Sequence, residues 1–237
     1  ARALPALTAA AVLTVAGAAG CSISQAPSGM EKQIMQGEKL GAATRAHASP
    51  LASARVASTG LSSARGHVTG WEVTAIGDSV MSASAMALES ALPGIYIDAR
   101  PDRQMPAGLD LIRSLARRGR LRPIVVIGLG TNYIVTIREL QQLMRLIGPD
   151  RKLVLINTYV PDQWSQEVNA TEAGFTRQHP AIVRADWFDT IKNRMYLLWP
   201  DHVHPQMPGT VVYARMVYRA IQATMDIAGA STAAANR

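Results

Sequence analysis

The stretch Val73-Thr74-Ala75-Ile76-Gly77-Asp78-Ser79-Val80 joins a short apolar run to a turn that carries a serine. Further apolar runs follow along the chain at residues 95–98, 124–128, 153–156 and 182–185. Runs of this length and composition are typical of buried β-strands. Apolar residues spaced three and four apart, as in helices, are found at residues 80–91, 107–118, 134–147 and 209–225.

The alternation of strands and helices predicts an α/β fold over residues 71–237. We expect a central parallel sheet with helices on both faces, which is a three-layer α/β/α arrangement. Ligands of such folds bind outside the carboxyl ends of the strands. The functional residues should therefore lie in the loops that follow the strands.

The composition fits a folded domain with additional segments. Of the 237 residues, 48% are hydrophobic and 17% are charged, which excludes a wholly disordered chain. Cys21 is the single cysteine, so the sequence excludes an intramolecular disulfide framework and a cysteine-cluster metal site. The net charge of +7 favours an acidic polymer or an anionic lipid headgroup as a neighbour.

The N-terminal segment, residues 1–21, is apolar and rich in alanine. Three interpretations remain open: the last helix of a truncated membrane unit, a signal peptide, or a lipoprotein signal with Cys21 at its processing site. Because the chain begins with Ala1 rather than Met, we favour the membrane helix.

Residues 22–70 are dominated by alanine, serine, glycine, arginine and threonine, without a sustained apolar period. This composition predicts a disordered linker. Its positive charges would suit anionic headgroups or wall polymers, although a solvated spacer without a partner explains them equally well.

Three loops after predicted strands carry residues suited to acyl chemistry. Ser79 follows the first strand at the start of a helix, where free N–H groups create positive potential. Asn132 ends a glycine-rich turn after the third strand, where its amide can donate to an oxyanion. Asp201 and His204 precede the final helix, at a spacing that lets the carboxylate orient the imidazole.

Each motif also has an ordinary structural explanation when it is taken alone. Ser79 would be a helix N-cap, the glycine turn a tight connection, and the Asp-x-x-His segment a polar surface turn. Their order along the chain is Ser, Asn, Asp, His, at positions that one sheet edge can bring together. The combination therefore favours one shared site.

In this order the motifs resemble the SGNH, or GDSL-like, hydrolase superfamily. The serine block is matched by Gly77-Asp78-Ser79-Val80, the asparagine block by Gly130-Thr131-Asn132, and the Asp-x-x-His block by residues 201–204. The sequence is also similar to a narrower group, the extracytoplasmic C-terminal domains of membrane-bound peptidoglycan O-acetyltransferases. This similarity covers residues 71–227 and includes Ile97-Asp98-Ala99, Arg103-Gln104-Met105, Asn157-Thr158, Val160-Pro161 and the segment 164–169.

The resemblance implies a serine-dependent acetyl transfer that needs no cofactor or metal. Ser79 would be the nucleophile and His204 the general base, with Asp201 holding the imidazole tautomer. The backbone N–H of Ser79 and the amide of Asn132 would form the oxyanion hole.

The resemblance also implies the partners and the location of the domain. Arg103, Gln104 and Trp164 would contact the substrate, a cell-wall glycan acetylated at the muramic acid C6 hydroxyl. A membrane acyltransferase unit would deliver the acetyl group, and the N-terminal segment would hold the catalytic domain at the outer side of the cell membrane.

Two positions depart from the pattern of this family. Asp102 stands where relatives have a glycine whose N–H group adds to the oxyanion hole, so we expect its side chain to face solvent or to pair with Arg100 or Arg103. Asp162-Gln163 replaces an Arg-Pro pair and would alter the glycan groove.

Other interpretations of the same residues remain open. An SGNH esterase would pass the acyl group to water, and a wall-binding module would have lost activity through Asp102. His202 competes with His204 as base, and the two histidines with Asp201 form a weak candidate metal site.

The basic run at residues 113–122 is predicted to be a solvated helix face. It lacks interleaved aromatic residues, so we expect no nucleic acid partner.

Overall fold

Five parallel strands form the central sheet of the protein, in the order β2-β1-β3-β4-β5. The computed structural model describes residues 27–46 and 68–235, with the side chains of the last helix described as far as Ile227. The strands are β1 (Val73–Gly77), β2 (Tyr96–Ala99), β3 (Ile124–Gly128), β4 (Lys152–Ile156) and β5 (Val183–Ala185). The predicted parallel sheet is confirmed, and each strand lies within one or two residues of its predicted position.

Eight α-helices connect and cover the strands of the described residues. They are α1 (Gly29–Ala46), α2 (Ser79–Ala83), α3 (Ala85–Ala91), α4 (Met105–Arg117), α5 (Ile137–Ile147), α6 (Trp164–Gln178), α7 (Trp187–Ile191) and α8 (Met207–Ala235). Short 3₁₀ turns occupy Gly70–Glu72 and Met195–Leu197. The sequence predicted α4, α5 and α8, and its helix at residues 80–91 is divided at Ser84 into α2 and α3. It missed α6, because α6 is mostly polar and lacks a strong apolar period.

Side chains on the two faces of the sheet pack into separate apolar cores. One core joins Ala75, Val126 and Ile156 to α2, α3, α7 and α8. The other joins Ile76, Ile127 and Leu155 to α4, α5 and α6. Since neighbouring residues of each strand point to opposite faces, the continuous apolar runs supply both cores, and the helices form the predicted outer layers.

The register of the central strands brings two predicted motifs to the same edge of the sheet. Gly77 of β1 is paired with Gly128 of β3, so both strands end at one level. The Asp78 N–H donates to the Gly128 carbonyl at 3.2 Å just beyond this pair. The loops that carry Ser79 and Asn132 therefore leave the sheet side by side.

The predicted disordered linker over residues 22–70 is wrong at Gly29–Ala46, which form α1. This helix packs on α2 and β2 through small and polar residues rather than an apolar stripe. A Cβ atom at Gly37 would lie 1.8 Å from the Ser82 carbonyl oxygen, and one at Gly41 would lie 3.1 Å from the Ile97 carbonyl oxygen. Such a helix gives no apolar period, which is why the sequence analysis missed it. Linker residues 22–26 and 47–67 lie outside the described residues.

The predicted membrane helix over residues 1–21 also lies outside the described residues. Of the helices that the structure does describe, none combines the length and the apolar character needed to cross a bilayer.

The basic run at residues 113–122 is only partly the solvated face that the sequence predicted. Arg117 and Arg118 are exposed. Arg122 is buried instead, and its guanidinium donates to the carbonyls of Gly70 at 2.9 Å and Gly94 at 2.7 Å. Arg122 therefore ties together loops at the amino end of the sheet, opposite the predicted site.

Candidate active site

Ser79 is the first residue of α2 and follows the carboxyl end of β1. The N-cap of α2 is Asp78, whose Oδ1 accepts from the Val80 N–H at 3.0 Å. Ser79 is therefore not the N-cap of this helix, and the Ser79 hydroxyl is available for other hydrogen bonds. Only 7% of Ser79 is exposed, so the hydroxyl sits in a recess at the end of the sheet.

The structure brings Ser79, His204 and Asp201 into one hydrogen-bonded chain. His204 Nε2 lies 2.8 Å from Ser79 Oγ, and His204 Nδ1 lies 2.6 Å from Asp201 Oδ2. Since the carboxylate accepts from the Nδ1–H group, the neutral imidazole presents Nε2 as the acceptor for the serine proton. The three side chains thus have the arrangement that activates a serine hydroxyl.

Asp201 is held in place by its own loop. Its Oδ1 accepts from the Val203 N–H at 3.0 Å and the His204 N–H at 3.1 Å. Partial burial acts to raise the pKa of the Asp201 carboxyl. Hydrogen bonds from the His204 ring and from these two N–H groups outweigh that effect, so the pKa lies below its usual value. Asp201 therefore stays ionised beside the imidazole.

The neighbouring histidine does not take part in this chain of hydrogen bonds. His202 is exposed, and the ring nitrogens that contact Ser79 and Asp201 both belong to His204. Of the two candidate bases, the geometry favours His204.

Asn132 lies where two of the predicted loops meet. Its Nδ2 donates to the Arg103 carbonyl at 3.4 Å, a long bond between the loops that follow β3 and β2. Gly130, just before it, has a φ of 133°, and a Cβ there would lie 2.8 Å from Val168. A glycine is therefore needed for the turn that carries Asn132 toward the Ser79 end of the sheet.

Arg103, which the resemblance placed among the substrate contacts, has several partners within the protein. Its side chain is buried, with Nη2 2.6 Å from Asp98 Oδ1 and Nη1 3.2 Å from the Gly77 carbonyl oxygen. These contacts tie the loop after β2 to the end of β1, next to Ser79. The guanidinium is thus occupied by the protein itself, and contact of Arg103 with a substrate stays a prediction.

Asp102 satisfies one of the two expectations for it. Its side chain is exposed, and no acidic–basic pair involving it is formed within the described residues, since Arg100 and Arg103 both pair with Asp98. Its φ of 56° is in the left-handed region, which glycine adopts most readily and aspartate tolerates. The backbone thus keeps the conformation suited to the family's glycine, while the carboxylate faces solvent.

An aromatic pair stands beside Asn132. The rings of Tyr133 and Trp164 lie 6.5 Å apart at 48°. Trp164 is half-buried against the core, whereas Tyr133 is 57% exposed. The sequence predicted a role for Trp164 but not for Tyr133. The position of Tyr133, directly after Asn132, could have indicated that it lies near the site. Gln104, the other predicted contact residue, is exposed at the start of α4.

Asp78 is a second acidic group at this end of the sheet, and it is fully enclosed. Burial raises the pKa of its carboxyl to about 6, and hydrogen bonds from Thr131 and from the Val80 N–H limit the rise. Oδ1 accepts the Val80 bond, whereas Oδ2 has no hydrogen bond of ordinary length and geometry within the part of the chain that the structure describes. Asp78 also raises the pKa of the buried Tyr213 hydroxyl, after the larger effect of burial. Sequence reasoning treated Asp78 only as part of the serine block.

Comparison with solved structures identifies the architecture. The C-terminal catalytic domain of peptidoglycan O-acetyltransferase A from Streptococcus pneumoniae superposes with a TM-score of 0.61 at 23% identity, over 68% of this chain and 97% of that domain. A member of the lipolytic G-D-S-L family from Veillonella parvula superposes with a TM-score of 0.53 at 14% identity, over 62% of this chain and 96% of that one. The chain has the SGNH-hydrolase fold.

The sequence comparison agrees with the narrower resemblance. A Bacillus subtilis protein provisionally named peptidoglycan O-acetyltransferase YrhL is 30% identical over 154 residues, which are 65% of this chain. The matched region is 24% of that relative, so the chain spans about a quarter of its length. No family model matches the chain. The predicted resemblance of this SGNH fold to the catalytic domain of peptidoglycan O-acetyltransferases is confirmed.

Proposed function

We propose that this domain is an O-acetyltransferase that moves an acetyl group through an acyl-Ser79 intermediate to a hydroxyl of a cell-wall glycan. The hydrogen-bonded chain from Ser79 through His204 to Asp201 carries the proposal. The names of the similar proteins support peptidoglycan as the acceptor. The family resemblance of the sequence implies the muramic acid C6 hydroxyl as the reacting group.

In the first half-reaction, Ser79 Oγ attacks the carbonyl carbon of the acetyl donor while His204 Nε2 takes its proton. The tetrahedral oxyanion that forms lies near the N-terminus of α2, where the Ser79 N–H group has no acceptor within the helix. The Asn132 amide is a second donor once it exchanges its long bond to the Arg103 carbonyl for the oxyanion. When the intermediate collapses, the bond to the leaving oxygen breaks and His204 returns the proton to that oxygen.

The second half-reaction repeats these steps with the sugar. His204 takes the proton of the glycan hydroxyl as its oxygen attacks the acyl carbon. The ester bond to Ser79 then breaks, and the proton passes back to Ser79 Oγ. Asp201 stabilises the imidazolium in both halves because its carboxylate stays ionised.

The aromatic pair supports a carbohydrate acceptor. Tyr133 follows Asn132 directly along the chain, and its ring is exposed and contacts the Trp164 ring at 6.5 Å. Aromatic faces stack on the apolar faces of sugar rings. We therefore assign the acceptor side of the site to Tyr133 and Trp164, with the exposed Gln104 on the neighbouring loop.

The membrane location and the acetyl donor follow from the resemblance. A membrane acyltransferase unit would bring the acetyl group to Ser79, and the apolar residues 1–21 would hold the domain at the outer face of the cell membrane. Protease accessibility of the domain in intact cells tests this topology, and protection from protease would contradict it.

The experiment for the proposed function incubates the 237-residue chain with an activated acetyl ester, with and without a muropeptide or chitin oligosaccharide. Mass spectrometry then measures acetylated sugar and free acetate. A transferase yields acetylated sugar with wild type and none with Ser79→Ala. Free acetate without acetylated sugar would instead show an esterase, and a well-folded chain without turnover or a serine adduct would favour a wall-binding module.

A further inference from the structure

A side chain of α1 contacts both segments that carry the proposed nucleophile and base. Gln33 is buried, and its Nε2 donates to the Ala83 carbonyl at 3.1 Å and to the Pro205 carbonyl at 2.9 Å. A primary amide nitrogen has two N–H groups, so these two bonds use both. The amide thus bridges two backbone segments that are far apart in sequence.

Each acceptor of this bridge is close to a member of the proposed triad. Ala83 ends the short helix that begins at Ser79. Pro205 directly follows His204. Gln33 therefore links the segments whose separation determines the 2.8 Å hydrogen bond between Ser79 and His204.

Contacts along α1 make it a firm support for this amide. Ser82 Oγ donates to the Ile34 carbonyl at 3.1 Å, one residue beyond Gln33. At the other end of the helix, Arg45 lies 3.6 Å from the Asp98 carboxylate. With both ends attached to the domain, the Gln33 side chain has little freedom to follow a displacement of either segment.

We propose that Gln33 is a positioning residue for acyl transfer, holding the helix of Ser79 and the loop of His204 at the separation that proton transfer requires. This inference rests on the proposed function. A shift of about 1 Å between reacting groups costs up to about 100-fold in rate. Because the buried amide has no free donor for a substrate, its loss should lower kcat and leave KM almost unchanged.

The test compares Gln33→Met with Gln36→Met in the 237-residue chain. Methionine matches the length of glutamine and lacks its donors, and Gln36 is exposed on the same helix. The measurements are kcat and KM for acetyl ester turnover, and the rate at which a sulfonyl fluoride modifies Ser79. We expect Gln33→Met to lower kcat and the modification rate about tenfold, with KM within about twofold, and Gln36→Met to match wild type.

A Gln33→Met variant that loses stability in urea but keeps the wild-type kcat would overturn the inference, because Gln33 would then be structural only. Where Gln33→Met does not fold, Gln33→Asn applies the same test, since its amide is too short to reach both carbonyls. If the wild-type chain itself is not modified at Ser79, the proposed function fails, which is a distinguishable result.

A second inference comes from a separate feature, a cavity of about 540 Å³ beside the edge strand β5. Four arginines from three segments line this cavity: Arg184, Arg194, Arg215 and Arg219. Arg215 and Arg219 are four residues apart on α8 and so share one face of that helix. All four are exposed, and the floor between them is apolar, with Val212, Met216 and Ala220.

The charges of this arginine groove are mostly uncompensated. Its single acidic lining residue is Asp186, which Arg184 contacts at 3.0 Å and Asn157 at 2.7 Å. Within the described part of the chain, the side chains of Arg194, Arg215 and Arg219 make no hydrogen bond or ion pair. Three guanidinium groups are therefore free to bind an anion.

We infer that the arginine groove binds an anionic polymer through its phosphate groups, of the polyol-phosphate kind. Guanidinium groups bind phosphate oxygens in a bidentate manner, and several together suit a ligand with repeated charges. A recess formed by three segments fits a flexible strand better than the flat surface of a bilayer. The groove begins at the carboxyl end of β5, on the same sheet edge as Ser79, so a wall polymer can reach both.

The probe is a fluorescent glycerol-phosphate oligomer, and its Kd for the 237-residue chain is measured by anisotropy. Arg215→Gln/Arg219→Gln is compared with Arg117→Gln/Arg118→Gln, which removes the same charge from exposed residues elsewhere. We expect the groove variant to weaken binding about tenfold and the control less than twofold. Equal losses in both variants would contradict the inference. So would equal affinity for polyglutamate, or binding only to phosphatidylglycerol vesicles.

Discussion

At the scale of single residues, the fold places an acidic side chain, Asp78, in an enclosed position next to the proposed nucleophile. Its Oδ1 caps α2, while Oδ2 has no hydrogen bond of ordinary length and geometry within the described residues. A protonated Oδ2 removes the cost of a buried charge, which is why burial raises the pKa to about 6. The neutral form of Asp78 is therefore the one that the folded protein stabilises relative to the unfolded chain.

The Asp78→Asn substitution should reveal this as a pH-dependent stability difference. In the wild type, the folded pKa is above the unfolded one, so stability is lost as the pH rises through about 6. Asparagine caps α2 without ionising. We expect the free energy of unfolding of Asp78→Asn, relative to that of the wild type, to rise by about 3 kcal/mol between about pH 4 and about pH 8.

Urea unfolding of both proteins across this pH range measures the difference. The comparison isolates Asp78, because the other carboxylates are common to the two chains. A difference in unfolding free energy that does not change with pH would show that folding does not raise the pKa of Asp78.

Asp102 provides a second prediction at this scale. Its carboxylate faces solvent while its backbone has the left-handed φ suited to glycine. We therefore expect Asp102→Gly to change kcat/KM for acetyl ester turnover by less than about threefold, since one exposed charge acts weakly through water. An increase above about tenfold would show that the carboxylate opposes the oxyanion.

At the scale of elements, α1 depends on close backbone contact with α2. A Cβ at Gly37 would meet the Ser82 carbonyl at 1.8 Å, which flexible side chains cannot relieve. Gly174 in α6 is a matched control, because a Cβ there meets only the end of Arg177, at 3.7 Å. Both glycines lie inside helices, but only Gly37 is in close contact with the backbone of another segment.

We predict that Gly37→Ala destabilises the protein by about 1–3 kcal/mol although alanine favours helices, because the added methyl forces α1 outward. Gly174→Ala should instead stabilise it by up to about 1 kcal/mol. Urea unfolding gives both values. Stabilisation by Gly37→Ala would mean that α1 is not docked on α2 in solution.

At the scale of the whole molecule, strands were predictable because buried parallel strands are continuous apolar runs. The run at Ile124–Gly128 is buried at every position and lies in the middle of the sheet. Since the strands are parallel, the loops after them gather at one edge, and this alone places Ser79 near Asn132. The fold and the order of the site residues follow from such local patterns.

Features that depend on contacts between distant segments were not predictable. The amide of Gln33 bridges the carbonyls of Ala83 and Pro205, which are far from it in sequence. The residues next to Gln33 in the sequence give no indication of this bridge. The arginine groove likewise joins residues from three segments. In contrast, the sequence-adjacent arginines near Arg122 suggested a solvated face, and Arg122 is buried. Sequence spacing within one segment is thus a poor guide to a cluster built from several.

The central claim is that Ser79 carries the acetyl group. The most direct measurement incubates the 237-residue chain and its Ser79→Ala and His204→Ala variants with an activated acetyl ester, quenches with acid, and maps acetylated peptides by mass spectrometry. We expect acetylation of the peptide that contains Ser79 in the wild type, a large loss in His204→Ala, and none at that peptide in Ser79→Ala. Equal turnover of the ester by Ser79→Ala, or acetylation confined to another residue, would contradict it.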